Sequence, residues 1–239
     1  YRIGTTGTLD GTKTHKLVLE GLFGSVYKVT STKQLMDNDQ LAELNIFGLV
    51  LQYPDDVKKA CKDNKYPDEM DFLCGYEPRN KFIRNLAISQ TGNSLVLFQY
   101  VEKHGQILFD MIKAKGGDRK VFFVFGGTET ADREDIRRIT ELENDAIIVA
   151  SYGTFSTGIN IRNLHNIIFA SPTKSKIRNL QSVGRGLRKG DAKTHCNLYD
   201  IGDDLTWKTR KNYTLLHMIE RIKTYNDEHF DYKLVKVPL

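Results

Sequence analysis

The chain has 239 residues, 40% of them hydrophobic and 27% charged, which is enough for two modest cores or one large one. Its longest apolar runs, such as Ile46-Phe47-Gly48-Leu49-Val50-Leu51, fall far short of the roughly 20 residues that cross a bilayer, so a membrane-spanning helix is excluded. The net charge of +5 is too small by itself to indicate an anionic partner.

The first residues, Tyr1-Arg2-Ile3-Gly4, carry neither an initiator Met nor the layout of a secretory signal, so an internal start within a longer protein is expected. Cys61, Cys74 and Cys196 lack paired spacing, which supports neither a disulfide frame nor a zinc site and fits a reducing cytoplasm. Glycines punctuate the segment before residue 41, and residues 31–42 read as a short helix capped by Ser31 or Thr32. From there strands and helices alternate. Residues 44–51 read as a strand, 80–89 as a helix, 94–98 as a strand and 101–113 as a helix. They are followed by strand 121–125, helix 132–141 and strands 146–150 and 166–170. Helix 181–187 and strand 196–201 complete the set. This alternation predicts an α/β fold with a parallel sheet covered by helices on both faces. A last helix over about 207–227 carries Leu215, Ile219 and Ile222 on one stripe, flanked by Lys208, Arg210, Lys211, Arg221 and Lys223.

Charge is unevenly placed. Between Lys174 and Lys193 seven basic residues face the single acid Asp191, so the net charge of the chain is concentrated there. Within that stretch lies Gln181-Ser182-Val183-Gly184-Arg185-Gly186-Leu187-Arg188. Positions 181, 185 and 188 project from one helical face, and two planar guanidiniums so placed suit phosphate oxygens. Two predicted strand ends are rich in small and hydroxyl residues: Ser151-Tyr152-Gly153-Thr154-Phe155-Ser156-Thr157-Gly158-Ile159-Asn160, and Phe125-Gly126-Gly127-Thr128. Parallel sheets bind ligands beyond such ends, although a plain polar turn has the same composition.

Taken together these segments resemble the second RecA-like domain of superfamily-two helicases and translocases. Gln181 to Arg188 matches the sixth motif, Q-x-x-G-R-x-x-R; Ser151 to Asn160 resembles the fifth; Gly4-Thr5-Thr6-Gly7-Thr8 resembles the third, at the end of the first RecA-like domain. The resemblance implies three parts: 1–41 as the end of the first RecA-like domain and linker, 42–205 as the second RecA-like domain, and 206–239 as a C-terminal helical extension. It implies that Arg185 and Arg188 approach the γ-phosphate of ATP, with Arg188 as arginine finger and Gln181 organising the contact. Thr154, Thr157 and Gly158 would lie near the nucleic-acid backbone or couple it to the nucleotide. Gly126, Gly127 and Thr128 would touch phosphates of the tracked strand, and Thr6 and Thr8 would link nucleotide state to domain closure. Asn160 stands where many members carry an Asp that binds ribose; the Gly158-Ile159-Asn160 form resembles double-stranded DNA translocases.

The implied partners are branched or duplex DNA, an RNA–DNA hybrid as a further candidate, and the N-terminal RecA-like domain of the same protein. The implied processes are recombination, repair, and replication-fork or R-loop processing. ATP and Mg are the implied cofactors, yet the chain contains no G-x-x-x-x-G-K-[ST] loop, and neither Asp227-Glu228-His229-Phe230, which superficially reads as a D-E-x-H box, nor Asp68-Glu69-Met70-Asp71 has a buried strand before it. The Mg ligands are therefore expected in the first domain, and this chain alone is expected to be inactive. A non-enzymatic nucleic-acid-binding module with the same fold is the rival reading. A dinucleotide enzyme is disfavoured because no G-x-G-x-x-G follows a strand.

Overall fold

The computed structural model describes residues 2–5, 13–27, 29–158, 161, 163–173 and 194–239, with side chains at 13 and 156–158 left out. The predicted helix 181–187 lies outside these residues. In chain order the elements are α1 (Lys13–Phe23), α2 (Thr32–Asp37), β1 (Glu43–Gln52), α3 (Asp55–Ala60), α4 (Tyr66–Gly75), α5 (Glu77–Ser89) and β2 (Ser94–Phe98). A π-helical turn, Val101–Gly105, then leads into α6 (Gln106–Lys115). After it come β3 (Val121–Val124), α7 (Thr130–Leu142), β4 (Ile147–Ser151), α8 (Tyr152–Gly158), β5 (Asn166–Phe169), β6 (His195–Asp204), α9 (Tyr213–Asp227) and β7 (Tyr232–Pro238).

The described strands form one sheet in the order β3-β4-β2-β5-β6-β1-β7, and every pairing is parallel. β2, β4 and β5 are buried along their whole length, as continuous apolar runs covered on both faces must be. Side chains alternate along each strand. Leu95 and Leu97 therefore face one core with Phe155 of α8 and Tyr225 of α9, and Val96 and Phe98 face the other with Ile83 of α5 and Ile112 of α6.

Helix boundaries follow local chemistry. Ser31 caps α2 through a capping box, its Oγ accepting from Gln34 N at 3.2 Å while Ser31 N donates to Gln34 Oε1 at 3.0 Å. The helix stops at Asp37, earlier than predicted, because Asp39 takes φ 57° and the amides of Gln40 and Leu41 turn back to Leu35 O. The single helix expected over 101–113 divides: Gly105 N donates to Tyr100 O at 2.9 Å, a π-type bond. A Cβ at Gly105 would lie 2.5 Å from the Phe98 ring, so only glycine lets this turn pack on β2.

The predicted helix over 207–227 starts later, at Tyr213, because Trp207 and Arg210 close a turn with reciprocal backbone bonds of 3.1 and 3.0 Å and Lys208 takes φ 54°. Its first turn is held by Glu69 of α4, buried at 2% exposure, which accepts from Tyr213 N at 3.0 Å and Thr214 N at 2.7 Å. The inward stripe is also rotated from the one expected: Thr214, Met218, Arg221 and Tyr225 are buried, whereas Leu215, Ile219 and Ile222 are half-buried. Beyond the helix, Tyr232–Pro238 pairs with β1 as β7.

Close approach of α9 to β1 and β6 depends on Gly48 and Gly202. A Cβ at Gly202 would stand 2.0 Å from Met218 Sδ, and one at Gly48 would meet Met218 Cε at 3.0 Å as well as Leu234 of β7 at 2.5 Å. Gly202→Ala should lower stability by about 1–3 kcal/mol in urea unfolding, and adding Met218→Ala should recover part of that loss. Unchanged midpoints would contradict this packing.

Candidate nucleic-acid and nucleotide interface

A parallel sheet brings the carboxyl ends of all its strands to one edge, where the predicted site segments emerge. β3 ends in the turn Phe125-Gly126-Gly127-Thr128. Thr128 N donates to Phe125 O and Phe125 N to Thr128 Oγ1, each at 3.0 Å, so the turn closes on itself. Arg133 of α7 clamps it from outside, donating to Thr128 O at 2.8 Å and Gly126 O at 3.1 Å. Gly126 and Gly127 are exposed, and a Cβ at Gly127 would lie 2.6 Å from the Phe125 ring. Sequence reasoning had not singled out Arg133, whose role depends on a position one turn into the next helix.

β4 runs directly into α8 with Ser151 as its cap: Ser151 Oγ accepts from Thr154 N at 3.3 Å and pairs with Thr154 Oγ1 at 2.9 Å. Thr154, only 6% exposed, thus turns its hydroxyl inward. Thr157 and Gly158 lie on α8, the former with its side chain outside the described atoms. Thr6, Thr8, Asn160, Gln181, Arg185 and Arg188 all lie outside the described residues.

Behind this edge the strand ends are joined by buried charge. Arg79 of α5 and Asp203 of β6 are both fully buried; Arg79 Nε donates to Asp203 Oδ1 at 2.8 Å and Nη2 to Oδ2 at 3.1 Å. Tyr53 Oη, just past β1, donates to the same carboxylate at 2.7 Å, and Arg79 Nη2 also donates to Ala170 O at 2.7 Å. Burial opposes the Arg79 charge, but Asp203 outweighs it and holds the guanidinium above its ordinary pKa; burial and Asp203 push the Tyr53 phenol up, so it stays a donor. A second pair joins α9 to β6: both oxygens of Asp200 accept from Arg221 Nε at 2.8 and 2.9 Å, and Tyr225 Oη donates to Oδ2 at 2.8 Å. Arg221, expected to be one of the flanking charges of the last helix, is therefore a core residue at 1% exposure, because a carboxylate inside β6 requires a buried cation.

His104, on the π-turn, sits 3.4 Å from Arg79 Nη1 through Nε2 and 2.9 Å from Ser171 Oγ through Nδ1. An arginine only donates, so Nε2 accepts and the ring proton lies on Nδ1. Burial first and the Arg79 charge second press the His104 pKa well below its usual value. The unfolded chain therefore takes up this proton first, and the associated stability is present above about pH 6.5 and lost as pH falls. Between pH 7.5 and 5.5, stability should drop up to about 1.4 kcal/mol per pH unit more steeply in the wild type than in His104→Asn. Equal slopes would contradict a neutral buried His104.

Comparison with known proteins gives this edge its context. The profile of the helicase conserved C-terminal domain matches residues 78–190, from the start of α5 through Arg188. The ATP-dependent DNA helicase uvsW of Enterobacteria phage T4 is 38% identical over 252 aligned positions, taking in 100% of this chain and 50% of the phage protein. The crystal structure of T4 UvsW matches with a TM-score of 0.72 at 37% identity, covering 91% of this chain and 44% of that one. A more distant likeness, at TM-score 0.62 and 15% identity, is to the ATP-dependent Type ISP restriction-modification enzyme LlaBIII bound to DNA, covering 92% of this chain and 17% of the enzyme. The chain thus spans about half the length of the phage helicase. By its matched segment and its identity to the phage protein, the chain carries a helicase conserved C-terminal domain over residues 78–190.

Proposed function

We propose that this chain is the C-terminal motor domain of an ATP-dependent DNA helicase or translocase that acts on branched or duplex DNA. It would close on an N-terminal RecA-like domain around the nucleotide. The observation that carries the reading is the Gln181-x-x-Gly184-Arg185-x-x-Arg188 pattern, which begins 12 residues after β5 ends at Phe169 in a chain 38% identical to a DNA helicase. MgATP, when bound between the two domains, supplies the phosphoryl bond whose hydrolysis drives movement. The donor set of this chain fits one half of that task. Two guanidiniums that never deprotonate can stabilise charge developing on the transferred phosphoryl group, with Gln181 orienting them. The phosphate loop and the Mg ligands belong to the other domain, since the present sequence contains no G-x-x-x-x-G-K-[ST] run.

On the nucleic-acid side, the exposed Gly126-Gly127 turn offers backbone a phosphate strand can approach closely. Thr154, buried against Ser151, suits the coupling role better than direct contact. Asn160 in place of the ribose-binding Asp favours duplex or branched substrates. Alternating closure and opening of the two domains would advance the DNA, with use in recombination, repair or fork processing; an RNA–DNA hybrid is a second candidate substrate.

In the full-length helicase, Arg188→Ala should lower kcat by about 10³-fold or more while DNA affinity stays within about twofold. Loss of DNA binding in step with kcat would instead identify the arginines as backbone contacts and support a binding module. The 239-residue chain alone should show no DNA-stimulated ATP turnover; steady turnover by it would overturn the division of labour between the two domains.

A further inference from the structure

Residues 170–173 connect β5 to the segment carrying Arg185 and Arg188, and successive polar atoms along them are held by side chains from separate elements. Ala170 O accepts from Arg79 of α5 at 2.7 Å. Ser171 Oγ accepts from Gln99 N, just past β2, at 3.1 Å and contacts His104 of the π-turn at 2.9 Å. Ser171 O accepts from Tyr152 Oη of α8 at 3.1 Å, and Thr173 O accepts from Arg221 Nη1 of α9 at 2.9 Å. All four of these side chains are at most 2% exposed. Residues 170–173 are buried, so water does not reach these groups and side chains of the surrounding elements satisfy them instead.

We infer that Tyr152 and Arg221 are positioning residues that link α8, the helix given the DNA-coupling role above, and the C-terminal helix α9 to the base of the arginine-bearing segment. The link passes a shift of α8 on DNA contact to residues 170–173, from which the chain continues to Arg185 and Arg188. Tyr152 opens α8 immediately after Ser151, two residues from Thr154, and its ring packs on Phe169 with centroids 5.8 Å apart. Its hydroxyl thus makes a single hydrogen bond between α8 and Ser171, three residues before the arginine-bearing segment begins. Arg221 holds the far end of the same stretch while its other nitrogens are anchored on Asp200 and Ile201 O, at 2.7 and 3.1 Å from Nη2. Contiguous hydrogen-bonded networks of this kind carry coupling when both ends bias one element, here residues 170–173.

This inference rests on the arginine-finger reading above, and one assay separates the two. Steady-state ATP turnover of the full-length helicase is measured with and without saturating duplex DNA, for wild type, Tyr152→Phe, Arg221→Lys and Arg188→Ala. Tyr152→Phe keeps the ring and deletes only the hydroxyl; Arg221→Lys keeps the charge beside Asp200 but lacks the fork that reaches Thr173 O. Both should lower the ratio of DNA-stimulated to DNA-free turnover by roughly 3- to 30-fold, with the DNA concentration for half-stimulation unchanged. A ratio equal to wild type in both variants, including the case where both rates fall in the same proportion, overturns the inference. Should Arg188→Ala leave turnover intact, the arginine-finger reading itself fails; should it abolish turnover while the two variants keep the wild-type ratio, only the positioning role is lost.

Discussion

Because all the described strands are parallel, every one of them delivers its last residues to the same edge of the sheet. That constraint gathers the turn at Gly126, the start of α8, the exit at Ser171 and the end of β6 into one neighbourhood without any of them being near in sequence. It also creates a difficulty, since the backbone leaving buried strands must be satisfied where water does not reach. The chain meets it with long polar side chains reaching in from the covering helices, and Arg79 and Arg221 carry positive charge into the core.

Buried ion pairs of this kind are poor instruments of stability. Desolvating a guanidinium and a carboxylate offsets most of their attraction, and apolar replacements of the whole set are often neutral, whereas removing one partner costs about 3–5 kcal/mol. What Arg79 gains over a leucine is geometry: its fork reaches Asp203 and Ala170 O together and faces His104, fixing β5, β6 and the π-turn relative to one another. Arg221 does the same for β6, α9 and Thr173. The stiffness lies beside the segment whose arginines are proposed to act on the nucleotide.

The strands were legible in the sequence because central parallel strands are short unbroken apolar runs, and 94–98 coincides with β2 at both ends. Less legible were α4, whose buried face includes Glu69 and Cys74 and so lacks an apolar stripe, and β7, a largely exposed edge strand without a fully buried run. Arg221 reads as a solvated charge in any helical projection; only its partner reveals it. The available signal was Asp200 and Asp203 inside the last apolar strand, since carboxylates in a buried strand demand buried cations. The π-turn gave no periodic signal, and Gly105 against Phe98 is intelligible only once the two are seen to touch. The arginine motif itself was legible from spacing alone, because its residue types are set by the chemistry of phosphate rather than by packing.

The central claim is that this domain completes a nucleotide site by stabilising the transition state rather than by holding the ground state. The most direct measurement is the affinity of the full-length helicase for ADP with aluminium fluoride, a mimic of the planar phosphoryl group, against its affinity for ADP, in wild type and Arg188→Ala. The account predicts a loss of about 100-fold or more for the mimic with ADP affinity unchanged. Equal affinity of wild type and variant for the mimic would contradict it.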